Sequence, residues 1–229
     1  MEMIVVAWNM GRRDHTAAWR YLLDHLTPDL ALLQETSPPP EAVQRGHVLH
    51  GRAYAAHAWG SAIYIREGSV RELPLPAEHR GWLIAAEIEL PDADPVVAVS
   101  VHARILAGYV RPNLDQAFDV LEPLLLGRSF VLGGDLNLSR NYDTAYGTSH
   151  HTQFLDGLTT RGFFDCMRKF HPEEQRTFWG RTTRDYQNDH LFVSEDLAPW
   201  VAGCDVVDRA QLSDHSPLRL ILGSAETVS

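Results

Sequence analysis

Short apolar runs alternate with polar segments along this chain, and runs too short for a buried helix predict β-strands. The predicted strands cover residues 3–9, 30–34, 48–57, 60–66, 82–90, 96–102, 130–132, 176–194, 204–208 and 217–222. Apolar residues spaced three and four apart predict amphipathic helices at about 14–26, 113–126 and 151–161. This mixture of elements indicates an α/β fold.

Polar breaks indicate how these segments connect. The segment Pro91-Asp92-Ala93-Asp94-Pro95 predicts a hairpin between two strands, which belongs to an antiparallel or mixed sheet. Asp14 could cap the first helix, while residues 37–40 and 72–80 are predicted as loops because proline interrupts them.

The segment Gly133-Gly134-Asp135-Leu136-Asn137 follows a buried strand and is the strongest chemical signal in the chain. A carboxylate and an amide two residues apart point the same way along an extended backbone. The carboxylate can hold a metal or deprotonate water, and the amide can donate to an anionic oxygen, so the spacing suits phosphate chemistry. A simple Gly-Asp turn is the alternative interpretation.

Other apolar runs also carry polar residues at one end. The residues at these ends are Asn9, Glu35, His102, Asp189 with His190, and Asp214 with His215. A sheet that gathered these ends at one rim would place hard oxygen ligands beside imidazoles. Such a set suits magnesium or manganese better than zinc.

Taken in order, these motifs resemble the endonuclease/exonuclease/phosphatase superfamily, with its exonuclease III and deoxyribonuclease I-like members. The matching segments are Trp8-Asn9, Leu33-Gln34-Glu35, Val101-His102, Gly134-Asp135-Leu136-Asn137, Asp189 before a short strand, and Ser213-Asp214-His215. Each motif is short, so the resemblance depends on their order between residue 4 and about residue 222. It implies a four-layer α/β sandwich, with two packed mixed β-sheets flanked by helices.

The resemblance also implies a site for Mg²⁺ or Mn²⁺. Glu35 matches the metal-binding glutamate of the superfamily, Asn9 the amide beside that metal, and Asp214 a supporting carboxylate. Glu35 could instead be a surface acid at a strand exit, and Asn9 a turn former before Gly11. Because Gly11 stands where many nucleases have Asn or Asp, we expect one ion rather than two.

Catalytic roles follow from the same resemblance. Asp135 would orient or deprotonate the attacking water, and Asn137 would bind phosphoryl oxygens. Asp189 would hold His215, which is then an alternative base or a donor to the transition state. His215 as a satisfied core histidine is the competing interpretation.

Two further residues are candidate phosphate contacts. His102 would meet the scissile phosphate as a donor or general acid. Tyr109 looks like the phosphate-contacting tyrosine of the exonuclease III branch, with a surface loop as an equal alternative. Superfamily members tend to emphasise one or the other, so the branch stays open.

Composition limits the number of domains, the surface charge and the cellular location that we expect. With 229 residues of which 45% are hydrophobic, we expect a single catalytic domain at 1–223 and a flexible tail at 224–229. The formal net charge of −10 argues against a broadly basic surface that coats nucleic acid, although a bound cation would reverse the field locally. The chain lacks a long apolar run and a basic N-terminal leader, and its only cysteines are Cys166 and Cys204. We therefore predict no membrane span, two buried thiols, and a cytoplasmic location.

Together these features predict a magnesium-dependent phosphoric ester hydrolase. The first expectation is a nuclease, endonuclease or exonuclease, with DNA or RNA as its substrate. A phosphomonoesterase or phospholipid-type phosphodiesterase is the alternative, and a catalytically silent binding protein is a third. We predict a monomer, since no protein partner is evident. Trp179 could stack on a base or be an ordinary core or edge aromatic.

Overall fold

The structure is a computed structural model that describes residues 2–12, 15–53, 57–91, 94–106, 108, 110–180 and 184–223. The predicted helix cap Asp14, the predicted phosphate contact Tyr109 and the predicted tail at 224–229 lie outside the described residues.

Strands supply the framework of the described chain. They are β1 (Met3–Asn9), β2 (Leu30–Thr36), β3 (His47–Arg52), β4 (Gly60–Ile65), β5 (Ser69–Glu72), β6 (Leu83–Glu89), β7 (Val96–His102), β8 (Phe130–Asp135), β9 (Phe163–Asp165), β10 (Asp189–Ser194), β11 (Val201–Val206) and β12 (Leu218–Leu222). The helices are α1 (His15–Tyr21), α2 (Pro40–Gln44), α3 (Arg111–Leu125), α4 (Arg140–Tyr146), α5 (His150–Thr160) and α6 (Cys166–Phe170). A π-helical turn at Leu22–Leu26 follows α1, and 3₁₀ turns lie at Ala77–His79 and Ala198–Trp200.

The described strands form two mixed sheets. The order is β11-β12-β1-β2-β4-β3 in the first and β5-β6-β7-β8-β10-β9 in the second. Near the centre of each lies one parallel pair, β1 with β2 and β7 with β8, while the other neighbours are antiparallel.

Alternating side chains bury both faces of each sheet. Val5 and Ala7 of β1 face the second sheet and share a core with Val131 of β8. Val6 and Trp8 face outward and pack under α1. Helices α3 and α5 cover the outer face of the second sheet in the same way. The layers are therefore helix, sheet, sheet and helix, which confirms the predicted four-layer α/β sandwich.

Several short elements were not predicted. The exposed edge strand β5, together with α2, α4, α6 and β9, lacks an apolar pattern long enough to indicate it. The prediction of a strand over 176–194 is wrong in its first part. Thr177 and Phe178 donate their backbone N–H groups to Tyr186, which closes this segment into a loop before β10.

Two other expectations concern the interior and the membrane. Cys166 and Cys204 are both buried free thiols, as predicted. Within the described ranges, no helix has the length and hydrophobicity needed to cross a membrane.

Candidate active site at one rim of the sheets

Strand register gathers the predicted polar residues at one rim. In the first sheet the parallel partners β1 and β2 run together to the pair Asn9 and Gln34. In the second, β7 and β8 run together to His102 and Asp135. Antiparallel β10 starts opposite that end, with Asp189 paired to Asp135.

A β-bulge directs Glu35. The register between β2 and β4 shifts after Leu33, and Glu35 has a φ of 51°. Non-glycine residues rarely take this conformation, and bulges often re-aim a side chain at a functional site. Oε1 of Glu35 lies 2.6 Å from Nη2 of Arg12 and 3.4 Å from Nε2 of His102.

Asp135 is the centre of the polar contacts. Its Oδ2 accepts from Nδ2 of Asn9 at 2.9 Å, and its Oδ1 accepts from the backbone N–H of Asn137 at 3.0 Å. The imidazole nitrogens Nε2 of His102 and of His215 each lie 3.8 Å from Oδ2. The end of β1 in the first sheet, the end of β7 in the second and the loop before β12 therefore converge on a single carboxylate.

His215 is fixed from both sides. Its Nδ1 lies 2.8 Å from Oδ2 of the fully buried Asp189, which leaves Nε2 directed towards Asp135. The Oγ of Ser213 accepts the backbone N–H of His215 and donates to the backbone oxygen of Asn9. The indole of Trp8 donates to the backbone oxygen of His215 at 3.0 Å.

Burial and neighbouring charges shift the pKa values of Asp135, His215 and His102 in different directions. Burial raises the pKa of Asp135 to about 7, and the positive charge of His215 only partly opposes this. For His215, burial alone would lower the pKa, but the carboxylates of Asp189 and Asp135 outweigh it and raise the pKa to about 10. Burial, followed by the charges of His215 and Arg12, lowers the pKa of His102 to about 3. At neutral pH the cation-free site thus pairs a charged His215 with a neutral His102.

Asn137 lines the cleft and also bonds to the backbone beside it. Its φ is 51°, and its Nδ2 donates to the backbone oxygen of Ala103 at 3.0 Å. Because an amide group carries two N–H bonds, one remains for a ligand. The role predicted for Asn137 in phosphate binding stays a prediction.

Gly11 has a physical reason to be glycine. Its φ is +70°, and a Cβ there would lie 2.9 Å from Oγ of Ser213 and 3.0 Å from Oδ1 of Asp214. A side chain at this position would require the side chains of Ser213 and Asp214 to shift. The expectation of one ion rather than two stays a prediction.

The oxygen donors fit a hard divalent cation. Glu35 in β2 presents a carboxylate to a positive guanidinium, while Asn9 at the end of β1 and Asp214 before β12 carry further side-chain oxygens at the same rim. A second group in the described chain, Asp135, Asp189 and His215, also brings possible ligand atoms within 4.8 Å of one another.

Gln34 is a positioning residue that the sequence interpretation overlooked. It is fully buried, and its Nε2 donates to Oγ of Ser100, which in turn donates to the backbone oxygen of Leu33. This link joins β2 to β7 directly behind the site. An amide in the apolar run before Glu35 was the available signal.

These side chains border one open cleft of about 500 Å³. Its lining includes Arg12, Glu35, Trp82, His102, Arg104, Asp135, Asn137, Phe178, Asp214 and His215. The structure thus brings together every predicted site residue that it describes, with Asn9 and Asp189 directly behind the lining through their bonds to Asp135 and His215.

A model of the Endonuclease/Exonuclease/phosphatase family matches residues 6–215. The chain belongs to this family. Among curated proteins, no significant match to the sequence was found.

Solved structures share the family fold. The chain is similar to the AP endonuclease LMAP from Leishmania major, with a TM-score of 0.73, 17% identity, and coverage of 97% of this chain and 88% of that one. It is also similar to the endonuclease domain of TRAS1, a telomere-specific non-LTR retrotransposon, with a TM-score of 0.74, 20% identity, and coverage of 97% of this chain and 99% of that one. A third similar structure is the 3′ phosphatase NExo from Neisseria bound to a product DNA hairpin, with a TM-score of 0.74, 21% identity, and coverage of 95% of this chain and 98% of that one. At these identities the likeness concerns the fold.

Proposed function

We propose that this family member is a divalent-metal-dependent phosphodiesterase that hydrolyses DNA or RNA. Family membership makes a phosphoric ester hydrolase the reaction class. The observation that carries the proposal is the approach of His102 and His215 to Asp135, with Glu35 beside His102, in a single open cleft.

Asp135 is the group that we assign to the attacking water. It is held by Asn9 and by the backbone of Asn137, so its lone pairs are directed before substrate arrives. Its raised pKa brings it near neutrality, where a carboxylate is a more effective base.

His215 is the group that we assign to the phosphoryl oxygens. With Nδ1 held by Asp189, the proton on Nε2 faces the cleft and can stabilise charge that develops in the transition state. A neutral His102 would act as a hydrogen-bond donor rather than as a general acid. We infer that the Asp189–His215 pair handles protons, because Oδ2 of Asp189 and Nδ1 of His215 already bond to each other.

Glu35, Asn9 and Asp214 are the residues that would hold Mg²⁺ or Mn²⁺. A bound divalent ion supplies Lewis-acid polarisation and neutralises phosphate charge. In the described structure a guanidinium faces Glu35, so the carboxylate already lies in a position that attracts positive charge.

Two kinds of relative support the choice of substrate. Structures similar to this chain include endonucleases and a 3′ phosphatase bound to a product DNA hairpin. Because one similar structure is a 3′ phosphatase, removal of a terminal phosphate from a nucleic acid is the second candidate function.

The deciding experiment measures hydrolysis by the wild type with Mg²⁺, Mn²⁺ or chelator. Substrates are single-stranded DNA, duplex DNA, abasic duplex, RNA, and an oligonucleotide with a 3′ phosphate. We expect metal-dependent cleavage that falls about 10²- to 10⁴-fold in Asp135→Asn. The exposed Asp156 provides a matched control as Asp156→Asn, which should keep full activity.

Release of phosphate alone would favour the phosphatase. Failure to hydrolyse any of these substrates, or full activity in chelator, would contradict the proposal and favour a binding protein.

A further inference from the structure

Tryptophans border the candidate cleft on two opposite flanks. The chain has six, of which Trp8 and Trp19 are fully buried. Trp82 lines the cleft and meets Trp59, Trp179 adjoins the lining residues Phe178 and Asp214, and Trp200 lies elsewhere. Three of the four tryptophans that keep exposed surface are therefore close to the site.

Strand order sets the two flanks apart. Trp59 directly precedes β4 and Trp82 directly precedes β6, at the same rim as Glu35 and His102. Trp179 instead donates its backbone N–H to Asp214 and its indole N–H to Ser216, in the segment before β12. In the first sheet β1 and β2 lie between β12 and β4, so the flanks are about 14 Å apart at the usual strand spacing.

Arginines stack on the tryptophans of the first flank. The guanidinium carbon of Arg12 lies 4.0 Å from the ring centroid of Trp59, and that of Arg104 lies 5.0 Å from Trp82. The two indoles meet edge to face at 5.8 Å, and Trp82 lies 5.0 Å from the imidazole of His102. The cationic and aromatic wall thus reaches the candidate phosphate contact.

The second flank repeats this chemistry. Arg176 and Arg209 lie 4.2 Å and 5.3 Å from the centroid of Trp179, and Arg209 also donates to the backbone oxygen of Ser213. Trp179 nevertheless keeps 41% of its surface exposed. A guanidinium that stacks on an indole keeps N–H groups at its edge for phosphate oxygens.

These two flanks suit a strand whose bases are unpaired. Flat aromatic surfaces bind bases of any sequence by stacking, but only where the base faces are not covered by pairing. A duplex is held mainly through an extended basic surface, which a formal net charge of −10 does not favour.

We propose that an unpaired strand of DNA or RNA crosses the cleft from Trp59 and Trp82 to Trp179, with its scissile phosphate between His102 and His215. This rests on the proposed function, since it names the substrate class of the same site. Trp59 already carries Arg12 and His57 against its ring, and Trp179 carries Arg176 and Arg209. Bases on both sides of the scissile bond therefore stack on the layered indole and guanidinium groups, and the guanidinium edges contact the backbone phosphates.

Binding is measured in chelator, so that no strand is cut. The probes are a labelled single strand of about twelve nucleotides, as DNA and as RNA, and a blunt duplex of the same sequence. We expect the single strand to bind about tenfold more tightly than the duplex and to quench tryptophan fluorescence. Equal or tighter binding of the duplex would overturn the proposal.

Substitutions then test the two flanks separately. Trp59→Ala and Trp179→Ala should each weaken single-strand binding about 5- to 100-fold, whereas Trp59→Phe and Trp179→Phe should stay close to wild type. Trp200→Ala is the matched control, because Trp200 is 53% exposed and accepts the backbone N–H of Gly223, beyond the far end of β12. Unchanged binding by both alanine variants would overturn the proposal.

Removing the charge of one arginine gives a second test, which leaves all the tryptophans in place. Arg209→Gln should weaken single-strand binding. It should also reduce the slope of log Kd against log salt concentration by about one. Arg66→Gln, at the far end of β4, should change neither. Tryptophan-dependent strand binding without hydrolysis would refute the proposed function alone, while hydrolysis with tryptophan-independent binding would refute this substrate class alone.

Discussion

Replacing Asp189 by asparagine tests the assignment of His215 most directly. Asp189 has no exposed surface, and its Oδ2 lies 2.8 Å from Nδ1 of His215. Asparagine has the same shape but no charge. The substitution therefore removes the electrostatic partner of the imidazole while keeping the packing of β10.

The magnitude follows from the surroundings of His215. Its pKa is raised from 6.5 to about 10 although burial opposes this, and Asp189 is the first cause of the rise. An adjacent opposite charge typically shifts a pKa by about 1 to 3 units. In Asp189→Asn we therefore expect the pKa of His215 to fall by about that amount, and kcat/KM to fall about 10²- to 10⁴-fold.

The same shift predicts a pH dependence of stability in metal-free protein. A histidine whose pKa is raised on folding contributes stability that is complete below its unfolded pKa of 6.5 and is lost as pH rises through about 10. The advantage in Tm of wild type over Asp189→Asn that comes from this charge should thus be largest near pH 6 and shrink towards pH 10.

The assays are steady-state hydrolysis, histidine titration by NMR, and thermal melts in chelator. Asp205→Asn is the matched control, because Asp205 also pairs with a histidine, His171, at 3.2 Å but is 57% exposed. It should change activity less than about twofold, as expected for a surface pair. Wild-type kcat/KM in Asp189→Asn, with an unchanged His215 titration, would refute the proposed role of the pair.

Two further predictions concern the metal and the rim. Glu35→Gln should raise the Mg²⁺ concentration needed for half-maximal activity by about 10- to 100-fold, because it removes a charged ligand; an unchanged titration curve would place the ion elsewhere. Gly134→Ala should destabilise the fold by more than about 3 kcal/mol, since its φ is +138° and a Cβ would lie 2.1 Å from the backbone oxygen of Val101. Gly157→Ala, within α5 and with no atom within 4 Å of the new Cβ, should instead be neutral or stabilise by about 1 kcal/mol; urea melts that ranked the two variants equally would contradict this reasoning.

The central strands could be predicted because they are apolar on both faces. In β7 and β8 every residue is buried, so the sequence shows a continuous run and the polar residue at its end stands out. The edge strand β5 is mostly exposed and carries no such run. Its position depends on pairing with β6, which local sequence does not encode.

Helix α4 shows the same limit from another direction. Its first backbone N–H groups, at Arg140 and Asn141, donate to the carboxylate of Glu174, which also accepts from Oγ of Ser139. A residue more than thirty positions away thus satisfies the helix start. Capping rules that consider neighbouring residues cannot find such a partner.

The site was predictable in its membership but not in its geometry. The order of motifs named Asp135, Asp189 and His215, and the structure brings them together. The bulge that turns Glu35 towards His102 depends on the pairing of β2 with β4, and the bond from Asn9 to Asp135 arises only when the two sheets pack. The order of motifs therefore indicated which residues converge, whereas tertiary contacts determine which atom faces which.

The acidic composition and a phosphate substrate become compatible once the charges are located. Most of the negative charge need not face the substrate, whereas Arg12, Arg104, Arg176 and Arg209 all lie at the rim of one cleft, each on an indole ring. Stacking on an indole does not neutralise a guanidinium, although Arg12 also pairs with Glu35 and Arg176 with Asp185. The arginines at the rim make the local field at the cleft more positive than the net charge indicates. A cleft of this kind should discriminate between nucleic acids by what its rim can stack, because contacts to phosphate are common to all of them.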